Sequence, residues 1–232
     1  LDVILHEEPL IVGFSCYMWS QKKVLECIRA IGKKLPDTAI VIGGIVSDLR
    51  HSGVVLPNSV LFCDDATEGE SILREILLAK IEGRNPRTVK GTWSYNNGRL
   101  RKTGNMEPIL DLDTIPSPYL NRTLELRDRK MNFQLQTSKG CVGKCAFCIG
   151  GISDTRIRYF SLERIEAELR YAVENGFTKV VITDAAINYH DDHLRALCDL
   201  VKRVDEEKKL KLTYCVHPGF VTERQIESLR QI

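Results

Sequence analysis

The stretch Thr137-Ser-Lys-Gly-Cys141-Val-Gly-Lys-Cys145-Ala-Phe-Cys148 constrains this chain more than any other, because three cysteines fall at a C-x₃-C-x₂-C spacing in a loop of mostly small residues. Thiolates so close in sequence converge on one centre without closure of a long loop, and such ligands suit zinc or iron–sulfur clusters. The next candidates for a fourth ligand are His190, His193 and Cys198, a helix and a strand further on. A structural zinc ion takes four protein ligands, usually as two local pairs, whereas a cubane held by three cysteines keeps one iron open for a substrate. The spacing therefore favours a catalytic [4Fe–4S] cluster. A zinc loop completed by a distant histidine is the alternative.

With 232 residues, 43% of them hydrophobic, the chain can build one large or two modest cores. Its net charge of +2 comes from mixed signs without a long basic run, so no nucleic acid or membrane surface is announced. No apolar run reaches the roughly 20 residues that span a bilayer, and Leu1-Asp-Val-Ile-Leu-His lacks the basic segment of a signal peptide. A cytoplasmic protein is expected. Cys16, Cys27, Cys63, Cys198 and Cys215 lie scattered without paired spacing, as reduced thiols do.

The first half alternates strand and helix. Leu10–Ser15, Thr38–Ile42 and Val60–Phe62 are short apolar runs that read as buried strands. Ser20 is placed to cap a helix with Val24, Cys27, Ile28 and Ile31 on one face, and Glu68-Gly-Glu70 opens another with Ile72, Leu73, Ile76, Leu77 and Ile81 inward. Gly83 stops it. Such alternation means a parallel sheet covered on both faces, with ligands beyond the carboxyl ends of the strands. Those ends carry Ser15 and Gly43-Gly44.

Asn97-Gly98 centres a hairpin over 92–101, and the proline-punctuated run 106–118 reads as a spacer between domains. Residues 1–90 then form a first α/β domain, 91–129 the hairpin and linker, and 130–232 a second domain. There Met131–Thr137 is a strand that delivers the cysteine loop, and Lys179–Thr183 and Leu210–Val216 are the next strands. Ser161 caps one helix, Asp191 and Asp192 start a second, and Thr222 with Gln225 makes a capping box for a third. Arg158 is expected in a surface ion pair.

Cys141, Cys145 and Cys148, with the aromatic Phe147 before the last, resemble the signature of the radical S-adenosylmethionine (SAM) enzymes. The resemblance implies that SAM chelates the open iron and that an electron from the cluster cleaves it. It also implies a partial (β/α) barrel, of which three strand–helix units are present. Where the family often has Gly-Gly-Glu, this chain has Thr183-Asp184-Ala185-Ala186, making Thr183 and Asp184 the candidates for the SAM amino group. Tyr214 and His217, at the end of the third strand, would face the active-site mouth.

Leu10 to about Gly83 resembles the later part of the Rossmann-like, cobalamin-binding domain of one radical SAM subgroup, through its "VGFS", "VIGG" and "EGE" segments. The resemblance assigns Ser15, Gly43 and Gly44 to cobalamin. The D-x-H-x-x-G motif that supplies a histidine to cobalt elsewhere is absent. Against the subgroup's full pattern the chain looks trimmed at both ends. The implied activity is cobalamin-dependent methyl transfer to carbon in a natural product, amino acid or peptide, with flavodoxin or ferredoxin as electron donor. Cyclisation, rearrangement, methylthio transfer with an empty cobalamin domain, and a non-catalytic cofactor-binding fragment are the alternatives.

Overall fold

The computed structural model describes residues 1–44, 56–57, 59–63, 68–96, 98–124, 131–143, 145–146, 148, 156–207 and 209–232. Phe147 and Asn97 lie outside them. The chain divides into two compact units, Leu1–Pro108 and Ile109–Ile232.

In the first unit, a short helix α1 (Asp2–Glu7) precedes β1 (Ile11–Ser15), α2 (Gln21–Lys34), β2 (Ala39–Gly43), β3 (Val60–Cys63) and α3 (Gly69–Ile81). Strands β1, β2 and β3 pair in parallel, with Ser15 opposite Gly43 and Ile42 opposite Phe62. The alternation of side chains across the pleat divides the apolar residues into two layers. Ile40, Ile42, Val60 and Phe62 pack with Val24, Ile28 and Ile31 of α2. Val41, Leu61 and Cys63 pack on the opposite face with Ile72, Ile76 and Ala79 of α3. This is the expected doubly covered parallel sheet.

Three local expectations are corrected. Helix α3 buries only the i, i+4, i+7 stripe of Ile72, Ile76 and Ala79, and Leu73, Leu77 and Ile81 remain exposed. The Ser20 hydroxyl does not cap α2 but turns back to Tyr17, accepting from its N–H at 3.0 Å and donating to its carbonyl at 3.1 Å. The hairpin of β4 (Thr92–Asn96) and β5 (Arg99–Lys102) is no appendage: β4 adds antiparallel to β3, making the sheet mixed and five-stranded in the order β1-β2-β3-β4-β5.

The second unit holds β6 (Phe133–Leu135), β7 (Ser138–Lys139), β8 (Arg158–Tyr159), α4 (Leu162–Glu174), β9 (Lys179–Ile182), α5 (Asp191–Val204), β10 (Lys211–Thr213) and α6 (Glu223–Leu229). Strands β6, β9 and β10 form a parallel sheet in the order β10-β9-β6, while β7 and β8 pair antiparallel as a separate ribbon. Phe133, Leu135, Val180 and Ile182 of the sheet share a core with Ile165 and Leu169 of α4 and with Leu194, Leu197 and Val201 of α5. Fully burying each of the leucines contributes about 2–3 kcal/mol. Ser161 caps α4 by accepting the Arg164 N–H at 3.0 Å. After α4, Gly176 takes a positive φ of 76° that lets the Phe177 N–H return to the Ala172 carbonyl at 3.0 Å, a left-handed stop that a side chain would strain.

The proline-punctuated segment from Ile109 belongs to this unit and is not a bare spacer. Leu112 is buried in its core, Tyr119 stacks on Phe133 with ring centroids 4.3 Å apart, and its hydroxyl donates to the Gln134 carbonyl at 2.7 Å. Arg158, expected on the surface, is buried and donates to the Ile109 carbonyl. The capping box at α6 is half made: Thr222 accepts the Gln225 N–H at 3.2 Å, but the Gln225 amide donates to the Asn188 carbonyl instead of reaching back. Among the described residues no helix is long and apolar enough to cross a membrane.

Candidate metal centre

The cysteine loop hangs between β7 and β8, so the two-stranded ribbon ties together the ends of the segment that carries it. Gly140 opens the loop at φ 107°, and a Cβ there would fall within the Arg156 carbonyl. Only glycine lets the chain turn there. Cys141, Cys145 and Cys148 are all partly exposed, as ligands that must meet a cluster and a substrate need to be. The Cys141 sulfur accepts from the Gly143 N–H at 3.4 Å and lies 3.0 Å from the Tyr189 hydroxyl. Cys145 Sγ faces the Gly143 carbonyl at 3.5 Å, and the Cys148 N–H closes a turn on the Cys145 carbonyl at 3.0 Å.

Among the described residues no three His, Cys, Asp or Glu side chains lie as a single metal ion would require. A four-iron cubane holds its thiolates further apart than one ion does. Three accessible cysteines in one loop, one of whose sulfurs already meets a backbone N–H and a phenol, are a donor set that fits such a cluster.

The loop after β9 lies beside it. Asp184 is buried, and its carboxylate accepts from the Thr137 N–H at 2.7 Å, the Thr137 hydroxyl at 2.5 Å and the Ser138 hydroxyl at 2.6 Å. Burial pushes this carboxyl up, and the hydrogen bonds from Ser138 and Thr137 hold it down, burial winning. Asp184 thus braces the strand that leads into the cysteine loop. Its neighbour Thr183 is exposed, and its N–H donates to the Leu135 carbonyl at 2.8 Å.

His217 comes to the loop as well. Its Nδ1 accepts from the Gly219 N–H at 3.2 Å, which leaves Nε2 to carry the proton of the neutral ring. The space a Cβ on Gly143 would fill is 3.3 Å from that Nε2 and 3.4 Å from Cys141 Sγ, so glycine at 143 allows the imidazole and the loop to meet. Tyr214 does not join them: partly buried, it packs against the core of the second unit.

Tyr189, Asn188 and the Thr137-Ser138 pair escaped the sequence reading. Burial, and then the hydrogen bond with Cys141, push the Tyr189 phenol well above its usual range. Nearby, the Tyr159 hydroxyl bonds His190 Nδ1 at 2.8 Å and its ring stacks on His193 at 3.8 Å. A polar loop at the carboxyl end of a parallel strand was the available signal, since such loops carry function.

In the first unit, Ser15, Gly43 and Gly44 sit side by side at the carboxyl edge of the sheet. Gly44 has φ 91°, and a Cβ on it would come within 2.6 Å of the Cys16 carbonyl oxygen. Met18 and the stacked Tyr17–Trp19 pair follow β1 there, with Trp19 81% exposed.

Residues 135–232, most of the second unit, match the family model of the radical SAM superfamily. The chain as a whole resembles the cobalamin-dependent radical SAM methyltransferases. It is 24% identical over 220 residues to the 2-(S-pantetheinyl)-carbapenam-3-carboxylate methyltransferase of Streptantibioticus cattleyicolor, covering 89% of this chain and 32% of that protein. It is 25% identical over 188 residues to the cobalamin-dependent radical SAM methyltransferase TokK of Streptomyces tokunonensis, covering 77% and 28%. Among solved structures, the cobalamin-dependent SAM radical enzyme OxsB, with aqua-cobalamin and SAM bound, matches 99% of the chain at a TM-score of 0.72 and 20% identity. The radical SAM methyltransferase TsrM of Kitasatospora setae, with cobalamin and a [4Fe–4S] cluster bound, matches 99% at 0.71 and 18%. These likenesses share the fold, and the chain spans about a third of the length of the curated relatives and of OxsB, and half of TsrM.

Proposed function

We propose that this chain forms the cofactor-bearing part of a cobalamin-dependent radical SAM methyltransferase that acts on a carbon centre of a natural product, amino acid or peptide. The observation that carries the reading is the loop of Cys141, Cys145 and Cys148, held by the β7–β8 ribbon inside a matched radical SAM domain. When bound, the cluster would supply the electron that cleaves SAM and the corrinoid would carry the methyl group. The chain's own residues hold and orient. The three cysteines ligate iron, Asp184 fixes the strand before them, and the exposed Thr183 stands beside it to meet the SAM amino group. Phe147 is assigned to the same cofactor by its place in the motif. His217, with a ring nitrogen toward the loop, is assigned to SAM or substrate. Tyr214, packed against the core, supports the third strand. At the carboxyl edge of the first sheet, Gly43 presents backbone without a side chain, against which a large flat ligand can lie, Gly44 makes the tight turn against the Cys16 carbonyl, and Ser15 is a hydroxyl partner.

The scattered, unpaired spacing of the cysteines outside the loop supports a reducing, cytoplasmic setting, in which a flavodoxin or ferredoxin would act as electron donor. Methylthio transfer has one point in its favour, 34% identity over 71 residues to a probable threonylcarbamoyladenosine tRNA methylthiotransferase of Archaeoglobus fulgidus. Cys16 and Cys63, however, are buried in the first unit's sheet packing, which ill suits a second cluster.

The test is anaerobic reconstitution with iron, sulfide and cobalamin, compared with a variant whose three loop cysteines are alanine. Iron–sulfur absorption lost only in the variant, corrinoid bands retained in both, and SAM-derived 5′-deoxyadenosine formed by the intact protein are expected. A cluster without corrinoid would remove cobalamin from the reading. Absence of a cluster in both proteins would return the cysteines to zinc.

A further inference from the structure

Resting on that reading, we propose that Tyr189 is a positioning residue of the iron–sulfur centre, its phenol donating a hydrogen bond to the Cys141 thiolate and so setting the potential at which the cluster takes up an electron. The Tyr189 oxygen lies 3.0 Å from Cys141 Sγ. In a free thiol either atom can donate, but a cysteine bound to iron has lost its proton, so its sulfur can only accept. The phenol is then the donor, and the bond is charge-assisted.

The side chain is held for this. Tyr189 is 8% exposed, its ring meets Phe220 edge-on at 5.7 Å, and His217 stands 6.2 Å away. Its chain neighbour Asn188 is fully buried and bonded to the His217 main chain, which anchors the loop on which Tyr189 sits. A long, mobile side chain at this distance would make and break the contact, whereas a packed ring keeps it.

Among the described residues the three ligands are therefore unequal. Cys141 receives the phenol and the Gly143 N–H, while the Gly143 carbonyl, which cannot donate, faces Cys145. Hydrogen bonds to cluster sulfurs help set the potential, because reduction adds one negative charge that spreads onto them. The electron comes from a low-potential flavin or iron–sulfur carrier. No bond breaks, and the proton stays on the phenol oxygen. Losing the donor makes the reduced state less favourable, so the midpoint falls.

The experiment is a dithionite titration followed by electron paramagnetic resonance on the reconstituted chain, with iron content measured in parallel. Tyr189→Phe keeps the ring and removes the donor; the midpoint is expected to move to more negative potential at unchanged iron content. Tyr159→Phe removes a phenol whose partner is His190, and it is expected to keep the midpoint of the unaltered protein. Genetically encoded 3-fluorotyrosine at position 189, a stronger donor, shifts the midpoint the opposite way and decides the matter should Tyr189→Phe lose its iron. Equal midpoints for Tyr189→Phe and the unaltered chain, or an equal shift from Tyr159→Phe, overturn the inference and leave the proposed function standing. An unaltered chain that takes up no cluster overturns both.

Discussion

The carboxylate of Asp184, at the end of β9, accepts the backbone N–H of Thr137 at 2.7 Å across 47 residues of sequence. With the Thr137 and Ser138 hydroxyls on its other oxygen, it ties the entry of the cysteine loop to the central strand of the sheet. Alanine at 184 leaves a buried N–H and two hydroxyls without their acceptor. A loss of about 3 kcal/mol is expected from one to three per unsatisfied buried group with partial relaxation. Asparagine can still accept the N–H while the hydroxyls rotate to accept from its NH₂, so about 1 kcal/mol is expected. Urea unfolding of the two variants checks the order, and no loss from alanine would show that the carboxylate braces nothing.

Asn188 clamps the main chain of His217 with both ends of its amide: its oxygen accepts the His217 N–H at 2.6 Å and its nitrogen donates to the His217 carbonyl at 3.1 Å. Asn188→Asp keeps the acceptor but sets a buried anion against that carbonyl and the Gln225 side-chain oxygen. A destabilisation of about 2–4 kcal/mol at neutral pH is expected. The new carboxyl's pKa would be raised by burial, so acidification protonates it and restores a donor. The deficit should shrink as pH falls, which thermal unfolding across the acid range will read.

Much of this was legible because it depends on period and spacing. The runs Leu10–Ser15, Thr38–Ile42 and Val60–Phe62 became three parallel strands, and Cys141, Cys145 and Cys148 fell where a strand and its ribbon deliver them. What stayed hidden was long-range partner choice. The side chain of Gln225 had equal local reason to cap its own helix, yet the buried Asn188 carbonyl, 37 residues away, takes it. Likewise Leu73 and Leu77 carry the same hydropathy as Ile72 and Ile76, and only the direction from which the sheet approaches decides which stripe is buried.

Gly140 offers a test of the loop itself. Its φ of 107° lies where side chains are strained, and an added Cβ would collide with the Arg156 backbone, which has no flexible end to move aside. Gly140→Ala is expected to cost on the order of 3 kcal/mol or to displace the loop. Iron uptake on reconstitution should fall several-fold, while the first unit, with its separate core, is unaffected. Full loading with unchanged stability would mean that the turn at 140 is not needed to present the cysteines.

His193, on α5, has its ring stacked on Tyr159 at 3.8 Å, and its Nε2 has no hydrogen-bond partner among the described residues. Burial first, and the charge of His190 second, push its pKa down from 6.5 to about 4. The folded state therefore resists the proton that the unfolded chain accepts. The stability this histidine contributes is fully present above pH 6.5 and is lost as pH falls toward about 4, because only the unfolded chain binds the proton in that window. Nearby carboxylates titrate at the acid end too, so the useful quantity is the difference from His193→Phe, which keeps a ring on Tyr159 and cannot be protonated. The unaltered chain should lose unfolding free energy relative to this variant between pH 6.5 and 4, and parallel curves across that interval would mean that His193 takes up its proton as readily in the folded chain as in the unfolded one.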